Sequence, residues 1–257
     1  MKLFAFDLDK TTLNSKGKLS TLNSRTLDIM ISKGIILVPA TGRNLDGISN
    51  EILEKGIRYA ITSNGSKIID LYDNKVIWKS VLPDEVLKIL ISKLSKKKFL
   101  FTVHADGKCY DSNLLQAVVR KILFNGTSAV LKKFSDIVEI KDIEKIQLIL
   151  FSKKSVLSMY DLICDISVLH SVKSSEHGIE ITNVNATKGD ALQFLSEYLN
   201  IDRKEIVCIG DNDNDIEMLS FSGTSYAVEN ASEKVKKVAD YVVSDNNANP
   251  LKDIKLD

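Results

Sequence analysis

The sequence predicts an α/β fold in which a core with a parallel sheet is interrupted by an inserted α+β domain. Three observations support this class. Short apolar runs alternate with helical segments over roughly the first 80 residues, the alternation returns towards the C-terminus, and the middle of the chain follows another pattern. Strands that alternate with helices imply right-handed crossovers and parallel pairing.

The N-terminal part begins with the segment LFAFDLD at residues 3–9, in which an apolar run ends in two aspartates, and such a run is typical of a strand covered on both faces. A helix is expected from about Ser20 to Lys33, with Ser20 as its N-cap and Gly34 as its stop. The elements expected next are strands at 35–42 and 58–65 and a hairpin that turns at Asp73–Asn74.

The pattern changes from Pro83 onwards. The elements expected here are helices near 84–97 and 113–124, a hairpin turned at Asp106–Gly107, and strands that include 145–151 and 178–182. This α+β block predicts a second domain at residues 83–182, inserted into a first domain made of residues 1–82 and 183–257.

The alternation resumes after the inserted block. The elements expected are a helix at 188–199, a strand at 205–211, a helix from about 214, and two short strands separated by a helix near 232–239. Both ends of the chain therefore belong to the same α/β domain.

Composition and charge exclude several classes of protein. The 257 residues are 44% hydrophobic and 27% charged, with a net charge of +1, so bulk charge favours neither a nucleic acid nor a membrane as partner. Three scattered cysteines predict neither a disulfide framework nor a zinc site. No apolar run approaches the ~18 residues of a spanning helix. We therefore expect a cytoplasmic protein that is a monomer or weak homodimer.

Polar residues follow several of the predicted strands. They are Asp7 and Asp9 after the first strand, Thr41 after the second, Lys188 at the start of a helix, and Asp211 and Asp215 after a late strand. Ligands of open parallel sheets bind beyond the carboxyl ends of the strands. We therefore expect these distant residues to meet at one edge of the sheet.

The chemistry of such a cluster suits phosphate. Carboxylates held close together repel, and an oxygen-rich anionic site favours Mg²⁺. The ammonium and hydroxyl groups would bind an anion. One carboxylate could attack phosphorus, while a second, two residues later, could give a proton to the leaving oxygen. The pattern predicts two-step catalysis through an aspartyl phosphate.

Four segments resemble the motifs of the haloacid dehalogenase superfamily: "FAFDLDKTTL", "PATGR", "NATKGDAL" and "IGDNDNDIEML". Their order and the inserted block resemble its Cof-type branch, in which a type IIB α/β cap lies between the second and third motifs. The resemblance implies a Rossmann-like catalytic core at 1–82 and 183–257, and a cap at 83–182 that closes over the core and sets substrate specificity.

The resemblance also implies roles for the matched residues. Asp7 would be the nucleophile and a metal ligand, Asp9 the general acid/base and a ligand through its carbonyl, and Asp211 the remaining ligand. The phosphate-binding set would be Leu8, Thr41, Gly42, Lys188 and Asn214. The supporting set would be Thr11, Arg43, Asn64 and Asp215.

Two features of the sequence leave roles open. Lys10 stands where the family usually has glycine, and its side chain either points to solvent or reaches the substrate. In the cap, the residues that could touch substrate are His104, Asp106, Tyr110, His177 and Glu180.

The resulting prediction is a Mg²⁺-dependent phosphatase for a small phosphorylated metabolite. Sugar phosphates are the leading class by resemblance, and flavin-precursor or pyridoxal phosphates are alternatives. Two other functions stay open at this point. One is a phosphohexomutase of the same superfamily, and the other is a non-catalytic, receiver-like phosphoacceptor module.

Overall fold

The computed structural model describes residues 1–105, 108–114, 118 and 129–255, and the chain forms two compact units. The first unit contains residues 1–79 and 187–257, and the second contains residues 80–186. Each unit has a hydrophobic core of its own. The expected turn at Asp106–Gly107 and most of the expected helix at 113–124 lie outside the described residues.

A five-stranded parallel sheet forms the centre of the first unit. In spatial order its strands are β14 (Tyr241–Val243), β13 (Thr224–Val228), β12 (Ile206–Gly210), β1 (Leu3–Phe6) and β2 (Ile36–Pro39). Every residue of β1 is fully buried, as expected for a central strand covered on both faces. The predicted parallel α/β sheet is confirmed.

A small antiparallel sheet follows β2 in the chain. It consists of β3 (Tyr59–Thr62), β4 (Lys67–Asp70) and β5 (Lys75–Lys79). The β4–β5 hairpin turns through Asn74, which has φ +48°, and so confirms the predicted turn. A single parallel bridge between Ala40 and Ile61 sets β3 beside the end of β2.

Helices surround the parallel sheet of the first unit, and the described residues of the second unit contain two more. In chain order they are α1 (Thr21–Ser32), α2 (Asn50–Leu53), α3 (Asp84–Leu94), α4 (Lys153–Ile163), α5 (Lys188–Tyr198), α6 (Ile216–Phe221) and α7 (Glu233–Val238). At the start of α1 the Ser20 hydroxyl accepts the Asn23 amide at 3.1 Å, and Gly34 follows the helix at φ +77°. The predicted cap and stop are confirmed.

The second unit is built on a six-stranded sheet. In spatial order its strands are β10 (Leu169–Ser175), β11 (Gly178–Asn183), β9 (Ile143–Ile149), β6 (Leu100–Ala105), β7 (Lys108–Asp111) and β8 (Ala129–Leu131). The helices α3 and α4 supply apolar side chains to the core of this unit. The sequence did not predict β8, which is only three residues long. Among the described helices of the chain, none combines the length and apolarity needed to cross a bilayer.

Candidate active site

The first, second and fourth sequence motifs lie at the carboxyl ends of neighbouring parallel strands. Asp7 follows β1, Thr41 lies two residues after β2, and Asp211 follows β12. β1 pairs in parallel with both β2 and β12, so the three strand ends are adjacent. Lys188, from the third motif, is the first residue of α5.

Lys188 joins two carboxylates in the interior of the first unit. Its Nζ donates to Asp7 Oδ1 and to Asp215 Oδ1, both at 2.6 Å. Lys188 and Asp215 are fully buried, and Asp7 is 6% exposed. A cation at a helix N-terminus opposes the helix dipole, so the two carboxylates are what make this position tolerable for a buried lysine.

Asp211 completes an acidic cluster beside this ion pair. One carboxylate oxygen from each of Asp7, Asp211 and Asp215 lies within 4.8 Å of the other two. The Thr11 hydroxyl donates to Asp211 Oδ1 at 2.9 Å and so fixes the orientation of that carboxylate. Three carboxylates therefore face one ammonium group.

The shortage of positive charge is visible in the pKa values of Asp7 and Asp211. Burial, opposed by Lys188 but reinforced by Asp215 and Asp211, raises the pKa of Asp7 to about 8. Burial, together with repulsion from Asp215, also raises the pKa of Asp211. With no further cation, Asp7 would hold a proton at neutral pH and would be a poor nucleophile.

The donors in this cluster fit a Mg²⁺ ion. All of them are oxygen atoms, the ligand type that Mg²⁺ prefers. Asp215 is already committed, because its Oδ2 accepts the backbone amides of Asp211 at 2.9 Å and of Asn212 at 3.0 Å while its Oδ1 accepts Lys188. Asp7 and Asp211 are thus the carboxylates that could hold the ion, and Asp215 supports Lys188.

A second group of polar residues surrounds Thr41. The Thr41 hydroxyl oxygen accepts the Arg43 amide at 3.1 Å, which leaves its hydrogen available to an anion. Asn64 contacts Asn214, whose Nδ2 donates to Asn64 Oδ1 at 2.9 Å. Gly42 packs so closely on Asn64 that a Cβ at this position would lie 2.8 Å from Asn64 Oδ1.

Arg43 forms a bidentate ion pair with the carboxylate of Asp9. Its Nε donates to Asp9 Oδ2 at 2.8 Å, and a terminal nitrogen donates to Oδ1 at 2.5 Å. Its other terminal nitrogen donates to the Gly47 carbonyl at 2.6 Å. Bidentate pairs of this kind fix geometry as well as charge, so Arg43 orients Asp9.

The turn at Leu8–Thr12 carries Asp9 out of the sheet. Leu8 is fully buried, and its carbonyl accepts the Leu13 amide at 2.8 Å. Lys10 is exposed and adopts the left-handed conformation, with φ 60° and ψ 10°. Glycine adopts this conformation at little cost, whereas a residue with a side chain does not.

The residues proposed to touch substrate from the cap do not form one group. Tyr110 pairs with Val103 and packs against the core of the second unit, whereas His104 is on the opposite face of its strand. His104 pairs across the sheet with Lys145, which contacts Glu180 at 3.6 Å. His177 is exposed in the β10–β11 turn. The fifth candidate, Asp106, lies outside the described residues.

Sequence reasoning missed Gly210 and Asn212, which shape the end of β12. A Cβ on Gly210 would lie 2.6 Å from the Cβ of Asp215, so this approach requires glycine. The Asn212 side chain accepts the Asp213 amide at 2.9 Å and begins the turn that carries Asp215. A glycine at the end of an apolar strand often marks a place where another part of the protein packs closely against the backbone. This signal could have identified Gly210.

Comparison with known proteins places the chain in a family. The family model of the haloacid dehalogenase-like hydrolases matches residues 4–254. Phosphatase YwpJ of Bacillus subtilis is 28% identical, over 96% of this chain and 95% of the relative. The 5-amino-6-(5-phospho-D-ribitylamino)uracil phosphatase YwtE of the same organism is 26% identical, over 97% and 95% of the two chains.

The fold agrees with this assignment. A crystal structure from Thermotoga maritima superposes with a TM-score of 0.85 at 28% identity, and covers 100% of this chain and 98% of its own. The resemblance to the Cof-type branch of the superfamily, read from the four motifs, is confirmed. The chain belongs to the haloacid dehalogenase-like hydrolases and is an enzyme that hydrolyses phosphate monoesters.

Proposed function

We propose that this enzyme is a Mg²⁺-dependent phosphatase that hydrolyses a small phosphorylated metabolite through an aspartyl phosphate on Asp7. The observation that carries the proposal is the buried Asp7 carboxylate, held by Lys188 at 2.6 Å and facing Asp211. Asp7 and Asp211, with the backbone carbonyl of Asp9, would hold the metal. When bound, Mg²⁺ offsets the carboxylate charge and polarises the phosphoryl oxygens.

In the first step, an oxygen of Asp7 attacks phosphorus and the bond from phosphorus to the leaving oxygen breaks. Lys188, the Thr41 hydroxyl, the backbone amides of Leu8 and Gly42, and the Asn214 amide stabilise the charge on the phosphoryl oxygens. Asp9 gives its proton to the leaving oxygen, so the organic product departs as a neutral alcohol. In this structure Arg43 donates to both oxygens of the Asp9 carboxylate, so it must release one of them when Asp9 carries the proton.

In the second step, Asp9 takes a proton from a water molecule. The resulting hydroxide attacks the phosphorus of the aspartyl phosphate, and the bond between Asp7 and phosphorus breaks. Inorganic phosphate leaves, Asp7 is regenerated as a carboxylate, and Asp9 again holds a proton. Each residue thereby returns to its starting state after one turnover.

Phosphate esters of hydroxylated carbon chains are the proposed substrate class. The relative named as a 5-amino-6-(5-phospho-D-ribitylamino)uracil phosphatase has a name that describes a phosphate on such a chain. Sugar phosphates belong to the same class, and both remain candidates beside pyridoxal phosphate. We assign substrate selection to the inserted unit, where Lys145 and Glu180 supply polar groups on the sheet face of His104. We keep the cytoplasm as the proposed compartment.

A panel of phosphorylated metabolites tests the proposal. Phosphate release is measured with and without Mg²⁺ for the wild type, Asp7→Asn and Asp213→Asn. Asp213 is the matched control, because it lies in the same motif but is exposed and pairs with Lys234 at 2.7 Å. We expect activity that requires Mg²⁺, a loss of at least about 1,000-fold in Asp7→Asn, and near wild-type rates in Asp213→Asn.

Two results would contradict the assignment. If Asp7→Asn keeps most of the Mg²⁺-dependent phosphate release, Asp7 is not the nucleophile. Conversion of a hexose 1-phosphate into its isomer without free phosphate would indicate a phosphohexomutase. A receiver-like module is not retained, since the curated relatives are phosphatases by name.

A further inference from the structure

Three asparagine side chains hold the backbone of the turn that follows the proposed nucleophile. Their Nδ2 groups donate to carbonyl oxygens: Asn230 to Lys10 at 2.8 Å, Asn23 to Thr12 at 2.9 Å, and Asn246 to Leu13 at 3.0 Å. We call Asn23, Asn230 and Asn246 the asparagine clamp. They lie far apart in the chain, so the fold itself is what brings them to this turn.

The amide groups of the clamp are oriented by further hydrogen bonds. Asn230 Oδ1 accepts the backbone amide of Asn246 at 2.9 Å, so its Nδ2 faces the Lys10 carbonyl. Asn23 Oδ1 accepts the Leu251 amide at 3.3 Å. Each of these two side chains therefore bonds through both its oxygen and its nitrogen, which uses both polar ends of the amide.

Asn230 acts where the turn is least favourable. Lys10 has φ 60°, a conformation in which the Cβ of an L-residue crowds the backbone. The two other main conformations open to Lys10, the β and right-handed α conformations, both have negative φ. Either one would change the direction of the chain between Asp9 and Thr11. Thr11 orients Asp211 through its hydroxyl, at 2.9 Å. A change at Lys10 would therefore disturb the groups on both sides of it.

We propose that Asn230 is a positioning residue that holds Lys10 in the left-handed conformation and thereby keeps Asp9 and Thr11 in their working positions. The inference rests on the proposed roles of Asp9 and Asp211. It explains how this chain has a lysine at a position where glycine would be more favourable. The hydrogen bond from the Asn230 side chain offsets the conformational energy that Lys10 loses in the left-handed conformation. Asn230 itself touches no reacting atom in the proposed mechanism.

Asn230 is the member of the clamp best suited to mutation. Asn23 and Asn246 are 1% and 4% exposed, so removing either would leave a buried carbonyl unpaired and would destabilise the fold. Asn230 is exposed, and exposed substitutions usually change stability little. Asn230→Asp keeps the oxygen that accepts from Asn246 but sets a second oxygen against the Lys10 carbonyl. Asn230→Ala removes both bonds.

Limited trypsin digestion tests whether Asn230 holds the turn, without reference to activity. Lys10 is exposed and provides a cleavage site within the turn. We expect Asn230→Ala and Asn230→Asp to be cut after Lys10 about tenfold faster than wild type, because proteolysis follows the population of the opened segment. Asn247→Ala is the matched control: Asn247 lies in the same C-terminal segment, but its Nδ2 donates to Ser15 at 3.0 Å and to the Asn246 side chain at 3.2 Å, and not to the backbone of the turn.

Kinetics with a substrate from the panel test the positioning role. We expect the Asn230 variants to lose about tenfold in kcat with little change in KM, a factor that corresponds to about 1.4 kcal/mol. In a Lys10→Gly background, the same Asn230 substitutions should cost less than about twofold, since glycine adopts the turn unaided. A purely structural role for Asn230 would show no such rescue.

The outcomes separate this inference from the proposed function. Equal cleavage after Lys10 in wild type and both Asn230 variants would overturn the inference whatever the activity. Faster cleavage with unchanged kcat, or a loss in kcat that Lys10→Gly does not rescue, would overturn the positioning role. Wild-type protein that releases no phosphate from any substrate would instead contradict the proposed function, while the digestion would still decide whether Asn230 holds the turn.

Discussion

Asp7 and Asp70 are both buried aspartates paired with a basic side chain, yet their pKa values move in opposite directions. Asp7 is 6% exposed and Asp70 is 1% exposed. The pKa of Asp7 is raised to about 8. For Asp70, burial alone would raise the pKa, but hydrogen bonds from Arg58 and from the amides of Asp73 and Tyr72 outweigh it, so the pKa is lowered.

The difference lies in how many hydrogen-bond donors each carboxylate accepts from and in whether other buried carboxylates face it. Asp70 accepts two bonds from Arg58, at 2.9 and 3.0 Å, and two more from backbone amides. Asp7 shares the single ammonium of Lys188 with Asp215 and also faces Asp211. Asp70 is thus fully satisfied within the protein, whereas the Asp7 cluster lacks positive charge.

This contrast separates a structural ion pair from a site built for a ligand. A protein that needed only stability would supply a cation for each buried carboxylate. The Asp7 cluster instead leaves a deficit of positive charge that the proposed Mg²⁺ would offset. Strongly perturbed groups of this kind tend to gather at functional sites. The first three of the four predictions below test this contrast directly.

Replacing Asp211 should change the Mg²⁺ dependence of the enzyme the most, because it removes a proposed metal ligand. We expect Asp211→Ala to lower kcat/KM by about 100-fold at limiting Mg²⁺, and a high Mg²⁺ concentration to restore part of the loss. Wild-type protein should also gain thermal stability as Mg²⁺ is added, since the ion binds only the folded state. The variant should gain much less.

Asp213→Ala serves as the control for this comparison. Asp213 is two residues from Asp211, yet it is exposed and bonds Ser232 and Lys234 outside the acidic cluster. Its Mg²⁺ dependence should match that of the wild type, by initial rate and by thermal shift. A Mg²⁺ titration of Asp211→Ala that superimposes on the wild-type curve would remove Asp211 from the ligand set.

Replacing each of the two buried aspartates with asparagine should separate stability from activity. Asp70→Asn should cost about 1–2 kcal/mol of stability, the range for a bond to a charged group when Arg58 is partly exposed, with phosphate release retained. Asp7→Asn should abolish phosphate release without lowering the thermal midpoint, because it removes a carboxylate repelled by its neighbours. A midpoint for Asp7→Asn that falls as far as that of Asp70→Asn would contradict the comparison.

The two sites should also give opposite pH dependences in metal-free protein. The pKa of Asp70 is lower in the folded state, so its stabilisation is complete above the unfolded value of about 3.9 and is lost as the pH falls through the folded one. Wild type and Asp70→Asn should therefore converge in acid. The raised pKa of Asp7 makes wild-type stability decline as the pH rises from about 4 to about 8. Asp7→Asn should remove the contribution of Asp7 and leave only that of Asp211, whose pKa is also raised.

The convergence of the site was predictable from the sequence because it follows from the sheet. Once β1, β2 and β12 are recognised as neighbouring parallel strands, Asp7, Thr41 and Asp211 must lie at one edge. The position of Lys188 at a helix start and the cap of α1 at Ser20 follow from equally local signals. These features depend on periodicity and capping, which short segments encode.

Other features depend on contacts that no short segment encodes. Arg43 reaches Asp9 through a long, flexible side chain, and the sequence does not specify its target. The alternation in β6 and β7 places His104 and Tyr110 on opposite faces, but the sequence alone does not say which face α3 and α4 cover. The glycine that is usual at position 10 pointed to an unusual backbone there, but the sequence does not show that the Lys10 carbonyl bonds Asn230, 220 residues away.

The smallest predicted effect concerns two adjacent threonines in the turn, Thr11 and Thr12. Both are fully buried. The Thr11 hydroxyl donates to Asp211, whereas the Thr12 hydroxyl has no hydrogen-bond partner within the described part of the chain. An unpaired buried hydroxyl is unfavourable, so Thr12→Val, which keeps the shape, should stabilise the protein by about 1 kcal/mol. This corresponds to a rise of about 2–4 °C in Tm.

Thr11→Val, at the adjacent position, should instead destabilise the protein. It removes the bond that lowers the pKa of Asp211 and that orients this carboxylate, so both Tm and kcat should fall. The two variants lose the same hydroxyl from the same turn, and differential scanning calorimetry compares them directly. A fall in Tm for Thr12→Val would mean that its hydroxyl is paired, and the turn would then contain no contrast between a bonded and an unbonded threonine.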